Sequence, residues 1–199
     1  MVSSFNGYKL FMKNLIVATS NPGKLKEMGA YLTGLDWQLQ LKPEEIEIEE
    51  TGATFAQNAA LKASQVAKIL GQWSIADDSG LCVTALDNAP GIYSARYGKN
   101  DSERIARLLR ELGDNSQRQA RFICAVAVAN PSGEIVCEST GICEGEIIFT
   151  PQGDSGFGYD PIFYVPEYNL TFAQMPPDLK RQVSHRGKAF AAIIPKLIH

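Results

Sequence analysis

Residues 15–19, "LIVAT", are a short unbroken apolar run rich in β-branched side chains, and "SNPGK" follows it directly. A run this short, without polar alternation, reads as a strand covered on both faces. Asn21 is placed to cap a helix whose first residue is Pro22, and Leu25, Met28, Leu32 and Leu35 then recur at spacings of three, four and three. A doubly covered strand that feeds a helix through a tight loop commits the chain to an α/β architecture.

The rest of the chain continues the alternation. Trp37 to Leu41 reads as a strand, and Thr54 and Gln57 form a capping box ahead of an Ala-rich helix ending near Gly71. "WSIA" (73–76) is a buried strand that the spacing ends at Asp77 and Asp78, with "GLCVTALD" returning beside it. "NDSERIARLLRELG" is a helix with Ile105, Leu108, Leu109 and Leu112 inward and Gly113 just past its end. A hairpin follows, turning at "NPSG", then the glycine-rich "TPQGDSGFGYDP", the strand "IFYVP", and one closing helix from Pro177 onward that Pro195 can kink. The expected fold is α/β with a mixed β-sheet flanked by helices, formed by a single domain over 1–199. Residues 1–11, ahead of Met12, read as an N-terminal extension.

A formal net charge of −3 gives no global attraction for nucleic acid or an anionic membrane surface, so any anionic ligand must meet local basic groups. No stretch reaches the roughly 18 apolar residues of a membrane span, and no signal-peptide core is present, which predicts a cytoplasmic protein. The four cysteines show no C-x-x-C spacing and the chain has only two histidines, so a zinc site is not expected. Cys82, Cys124, Cys137 and Cys143 are read as reduced packing residues.

Four segments concentrate polar chemistry. In "TSNPGK" (Thr19, Ser20, Asn21, Pro22, Gly23, Lys24) a helix start offers backbone N–H groups, and Lys24 and Lys26 stand where the helix dipole disfavours cations, a mismatch that a phosphate would resolve. It is not a Walker loop, because no Ser or Thr follows Lys24. Asp77 and Asp78 point to opposite sides of their strand, and with Glu49 and Glu50 they supply hard oxygen ligands that suit Mg²⁺. In "SGFGYDP", Gly156 and Gly158 permit close backbone approach, Phe157 a stacking face, and Asp160 an acceptor for a ring N–H. In "KRQVSHRGK", helical spacing puts Arg181, His185 and Lys188 on one face, with Lys180 and Arg186 nearby. Each segment alone is also consistent with ordinary capping, turn or surface chemistry.

Taken in order, "ATSNPGK", "EETGATFAQNAALKA", "IADDSGL", "APGIYSARY", "GFGYDPIF" and "SHRGKA" resemble the inosine/xanthosine triphosphate pyrophosphatases, across residues 15–188. The resemblance implies two lobes with a central cleft, usually a homodimer, and Mg²⁺-dependent hydrolysis of ITP, dITP and XTP between the α and β phosphates. It further implies that Thr19 to Lys24 cradle the triphosphate, that Asp78 accepts a proton and binds metal, and that Glu49, with Glu50 beside it, lies on the metal side. Ser79, the segment Phe157, Gly158, Tyr159 and Asp160, and Lys180, His185 and Arg186 would contact substrate. Donors from His185, Arg186 or a backbone N–H aimed at O6 would reject adenine's amino group, whereas nothing in the sequence shows how guanine's 2-amino group is disfavoured. Competing readings are a pyrophosphatase for methylated or pyrimidine nucleotides, a nucleotide sensor without catalysis, and a nucleic-acid-binding module. The ionisable Asp78 argues against a sensor, and the charge of −3 against nucleic acid.

Overall fold

A computed structural model describes residues 13–197, and the extension expected at 1–11 lies outside them. The elements run β1 (Lys13–Val17), α1 (Pro22–Leu32), β2 (Trp37–Leu41), α2 (Phe55–Leu70), β3 (Trp73–Val83), α3 (Asp101–Leu112), β4 (Gln119–Ala129), β5 (Ile135–Ile147), β6 (Phe163–Val165), β7 (Leu170–Thr171), α4 (Pro177–Val183) and α5 (His185–Leu197). A short 3₁₀ helix, Gly91–Arg96, follows β3. One seven-stranded sheet runs through the chain in the order β2-β1-β3-β4-β5-β6-β7. β1 lies parallel to β2 and β3, and every other pairing is antiparallel, so the sheet is mixed as expected.

Helices cover both faces where β1 sits, which explains its continuous apolar sequence. On one face Leu15, Val17, Ile75, Val126 and Val128 pack with Met28 and Leu32 of α1 and Phe190 and Ile193 of α5. On the other, Ile16, Ala76, Ala125 and Ala127 meet Ala59, Ala63, Val66 and Ala67 of α2. Alanine against alanine brings α2 close to the sheet. A third cluster gathers Leu81 and Val83 with Leu108 and Leu112 of α3 and with Phe122, Phe163 and Phe172.

The caps read from the sequence are present. The Asn21 side chain accepts the N–H groups of Gly23 and Lys24, the Thr54 hydroxyl accepts Gln57 N–H, and Gly71 closes α2 at φ 62°. The reciprocal arm of the capping box lands one residue early, because Gln57 accepts from Ala53 N–H.

Two expectations are corrected. β3 does not stop at the aspartates: it continues to Val83, paired throughout with β4, so "GLCV" prolongs the strand instead of returning beside it. Cations from three helices surround the two carboxylates, which lets a strand carry them through its middle. The closing helix is not one helix. Extended backbone at Ser184 (φ −69°, ψ 157°) divides α4 from α5, and the Ser184 hydroxyl accepts Gly187 N–H at 3.1 Å as the cap of α5. Arg181, His185 and Lys188 therefore share no face: Arg181 and Lys188 are exposed, whereas His185 and Arg186 are turned into the protein.

Candidate active site

Side chains alternate along β3, so Asp77 faces the α1/α5 layer and Asp78 the α2 layer. Each meets a different set of cations. Asp77, 1% exposed, receives Lys24 Nζ at 3.1 Å and Arg186 Nη2 at 3.2 Å. Burial opposes its ionisation, but Lys24, Arg186 and Lys62 overcome that and hold the carboxyl well below the usual carboxylate range. Arg186, 2% exposed, donates to Asp77, to Ser79 Oγ at 2.9 Å and to Glu27, so most of its guanidinium is engaged inside the protein. It joins α1, β3 and α5 and has little donor capacity left for a base. Of the three donors considered for O6, Arg186 is thus the one most engaged within the protein, although it still lines the pocket described below.

Asp78 faces an open cleft lined by Thr19, Ser20, Asn21, Lys24, Lys42, Glu50, Lys62 and Ser79. Its Oδ2 accepts Asn58 Nδ2–H at 3.1 Å, its Oδ1 accepts Ser79 N–H at 3.1 Å, and Lys62 Nζ lies 3.6 Å from Oδ1. Burial raises its pKa, and Lys62 and Lys24 only partly offset that. Lys62 also bonds Glu50 Oε1 at 2.6 Å and thus stands between the two carboxylates. Glu50 is opposed by burial, but Lys62 and Arg96 hold it below the ordinary range.

The two glutamates are not equivalent. Glu50 lines the cleft, whereas Glu49 is exposed and its side chain makes no hydrogen bond or ion pair among the described residues. Among those residues no group of three or more His, Cys, Asp or Glu side chains is arranged to hold a metal. That donor set still suits Mg²⁺, which binds through one or two carboxylates and takes its remaining ligands from water and substrate phosphates.

The "TSNPGK" loop differs in detail from its expected form. Asn21 Oδ1 takes the N–H groups of Gly23 and Lys24 at 2.9 and 3.2 Å, and Thr19 Oγ1 takes Asn21 N–H at 3.1 Å. Those backbone donors are satisfied internally. Contact with an anion falls to the Lys24 ammonium and to Ser20 and its neighbours at the cleft wall. Pro22 opens α1 at its first position. Gly23 lies close to the Phe157 ring, and a Cβ there would stand 3.1 Å from Phe157 Cδ1, a tight contact.

Beyond Lys24 and Ser79 the cleft continues into a narrower pocket lined by Phe122, Phe157, Gly158, Tyr159, Asp160, Lys180, His185 and Arg186, with Ser94 and Arg104. Phe157 is partly exposed, with Lys180 Nζ 5.4 Å and Arg186 Cζ 5.8 Å from its ring centre. Asp160 Oδ2 accepts Phe157 N–H at 2.9 Å and Lys180 Nζ at 2.7 Å. Asp160 therefore builds the loop, and this oxygen is not open to a ring N–H as expected. Burial raises its pKa despite Lys180. The Tyr159 hydroxyl donates inward to Ser94 O at 3.0 Å. His185 stacks on Phe122 with ring centres 4.6 Å apart, and its buried Nδ1 has no partner among the described residues. Burial, then Arg186 and Lys180, push its pKa well below the usual histidine value, which keeps the imidazole neutral.

Sequence reasoning named neither Asn58 nor Lys62. Their signal was present: a polar pair four residues apart in an Ala-rich helix falls on one face, and Asn58 is 1% exposed. Glu27 and Arg104 carried no such signal, since each is an ordinary charged residue on an amphipathic helix.

Comparison with known proteins places this geometry in a populated group. The Ham1 family model matches residues 15–196. A dITP/XTP pyrophosphatase from a Nostoc species is 66% identical over 185 residues, 93% of this chain and 94% of the relative. Another, from a Synechocystis species, is 63% identical over 94% of this chain and 95% of the relative. Among solved structures, a HAM1 protein from Coxiella burnetii superposes with a TM-score of 0.86 at 42% identity, over 94% of this chain and 98% of that one. The Ham1 protein of Staphylococcus aureus gives 0.84 at 40% identity, over 93% of this chain and 98% of that one.

Proposed function

The chain belongs to the Ham1 family, and on that premise we propose that it hydrolyses deaminated purine nucleoside triphosphates, ITP, dITP and XTP, to the monophosphate and pyrophosphate. The observation that carries the reading is the position of Asp78: a carboxylate in a cleft between Lys24 and Lys62, beside a pocket walled by Phe157 and His185. The first compartment suits a phosphate chain and the second a flat heterocycle.

In this reading the base stacks on Phe157 while the triphosphate runs past Ser79 toward Lys24, Lys62 and Lys42. Lys24 and Lys62 offset the charge that accumulates on the phosphate oxygens. Asp78, oriented by Asn58 and by Ser79 N–H, takes a proton from the attacking water. Glu50 and Asp78 would hold Mg²⁺. The ion, when bound, supplies Lewis-acid stabilisation of the phosphate chain and favours the ionised form of Asp78. His185, neutral, offers Nε2 to the base, and the 6-position of hypoxanthine or xanthine accepts where adenine's amino group would oppose a donor.

The same reading includes a homodimer in the cytoplasm. Among the described residues no helix is long and apolar enough to cross a membrane. Tyr93, 59% exposed on the 3₁₀ helix after β3, offers an apolar contact for a second copy.

Pyrophosphate and phosphate release from ITP, dITP, XTP, GTP and ATP, with Mg²⁺ and with EDTA, tests the proposal. The expected result is metal-dependent pyrophosphate release confined largely to ITP, dITP and XTP. Release of orthophosphate instead, or equal rates on ATP, would contradict it.

A further inference from the structure

We propose that Arg104 is a specificity-determining residue of the base pocket, reading the substituent at the purine 2-position: its guanidinium favours the oxygen of xanthine and opposes the amino group of guanine. The assignment rests on the hydrolase reading above and answers what that reading leaves open, how GTP is excluded. Four cations line this pocket, Lys24, Arg104, Lys180 and Arg186. Three are committed to buried or partly buried carboxylates: Lys24 to Asp77, Lys180 to Asp160 and Glu27, and Arg186 to Asp77 and Glu27. Arg104 differs. Of its five N–H donors one is accounted for, Nη1 to Asp101 Oδ1 at 2.5 Å, and its buried Nε has no partner among the described residues. The side chain is 22% exposed, and Nε is its one buried nitrogen without a partner among the described residues.

Of the pocket's other polar groups, His185 keeps an unpartnered Nδ1, whereas the hydroxyls of Ser94 and Tyr159 are engaged within the protein. Ser94 Oγ accepts Leu81 N–H and donates to Gly91 O, and the Tyr159 hydroxyl donates to Ser94 O. Arg104 is also held in register with the base. The second oxygen of Asp101 accepts Gly158 N–H at 2.7 Å, so one carboxylate fixes both the guanidinium and the loop that presents Phe157. At the 2-position hypoxanthine carries C–H, xanthine an acceptor oxygen and guanine a donor amino group. A donor with no protein partner gains a bond from xanthine, nothing from hypoxanthine, and meets a second donor in guanine. The xanthine ring is moreover acidic enough to lose a proton near neutral pH, which places negative charge on that oxygen and makes the bond to a guanidinium charge-assisted.

The test is kcat/KM for ITP, XTP and GTP in wild type and in Arg104→Met, which keeps the length of the stem and removes every donor. The XTP/ITP ratio is expected to fall by about tenfold and the GTP/ITP ratio to rise. Arg104→Lys, retaining a point charge without the planar fork, provides a second variant if the methionine form does not fold, with shifts in the same directions. A uniform fall on all three substrates with both ratios within twofold of wild type would overturn the assignment and leave Arg104 as a support for the Asp101 contact. Wild-type protein that cleaves ITP and XTP but shows ratios insensitive to Arg104 defeats this inference alone. Protein that cleaves neither defeats the hydrolase reading and this assignment with it.

Discussion

Asp77 and Asp78 are neighbours in the chain, yet the pleat of β3 sends them into different layers with opposite consequences. Asp77 is enclosed by Lys24 and Arg186 and held ionised, which makes it a fixed negative post around which α1 and α5 are positioned. Asp78 faces the cleft with its pKa raised by burial, which Lys62 and Lys24 only partly offset. His185 gives a residue-scale prediction for pH. Its folded-state pKa is depressed below the unfolded value of about 6.5, so the unfolded chain binds the extra proton as pH falls through that value, and stability declines there by up to about 1.4 kcal/mol per pH unit. Asp78 and Asp160, whose pKa values are raised, act in the opposite sense at lower pH. Urea unfolding of His185→Phe, which keeps the stack on Phe122, is expected to lose the wild-type decline between pH 7.5 and 5.5. An unchanged slope in the variant would show that other groups produce it.

Among the elements, α2 bears most directly on the site. Its inner face is Ala59, Ala63, Val66 and Ala67 against Ala76, Ala125 and Ala127, and that close approach brings Asn58 and Lys62 to Asp78. Ala63→Leu is expected to push the helix outward, lowering stability by about 1–3 kcal/mol and activity with it. Chemical denaturation together with pyrophosphate release would check both, and full activity in a stable variant would show that Lys62 does not depend on this packing. The elements themselves were largely legible, because the caps at Asn21, Thr54, Gly71 and Gly113 are local and use local chemistry. The two misread boundaries have different causes. β3 runs through its aspartates only because α1, α2 and α5 deliver cations to them, and the break at Ser184 was hidden by a helical spacing that continued across it.

At the scale of the whole molecule, a chain of net charge −3 gathers Lys24, Lys42 and Lys62 at one cleft, where Glu44, Glu47, Glu50 and Asp78 also stand, so the cleft brings both signs of charge together. Most of the residues quoted from the sequence line this cleft or the pocket beyond it, whereas Gly23 and the exposed Glu49, Arg181 and Lys188 do not. What the sequence could not display is which of them are already committed to one another: the donors of Arg186, one oxygen of Asp160 and the N–H groups capped by Asn21 are engaged within the protein. Commitment is a property of three-dimensional pairing, which no spacing in the sequence displays. The central claim is that ionised Asp78 activates the water that attacks the phosphate chain. Its most direct test is turnover of ITP by Asp78→Asn, with ITP binding measured on the same preparation. The account predicts a folded variant that binds ITP within about tenfold of wild type and hydrolyses it about a thousandfold more slowly. A folded variant that binds ITP and turns it over at near the wild-type rate would contradict it.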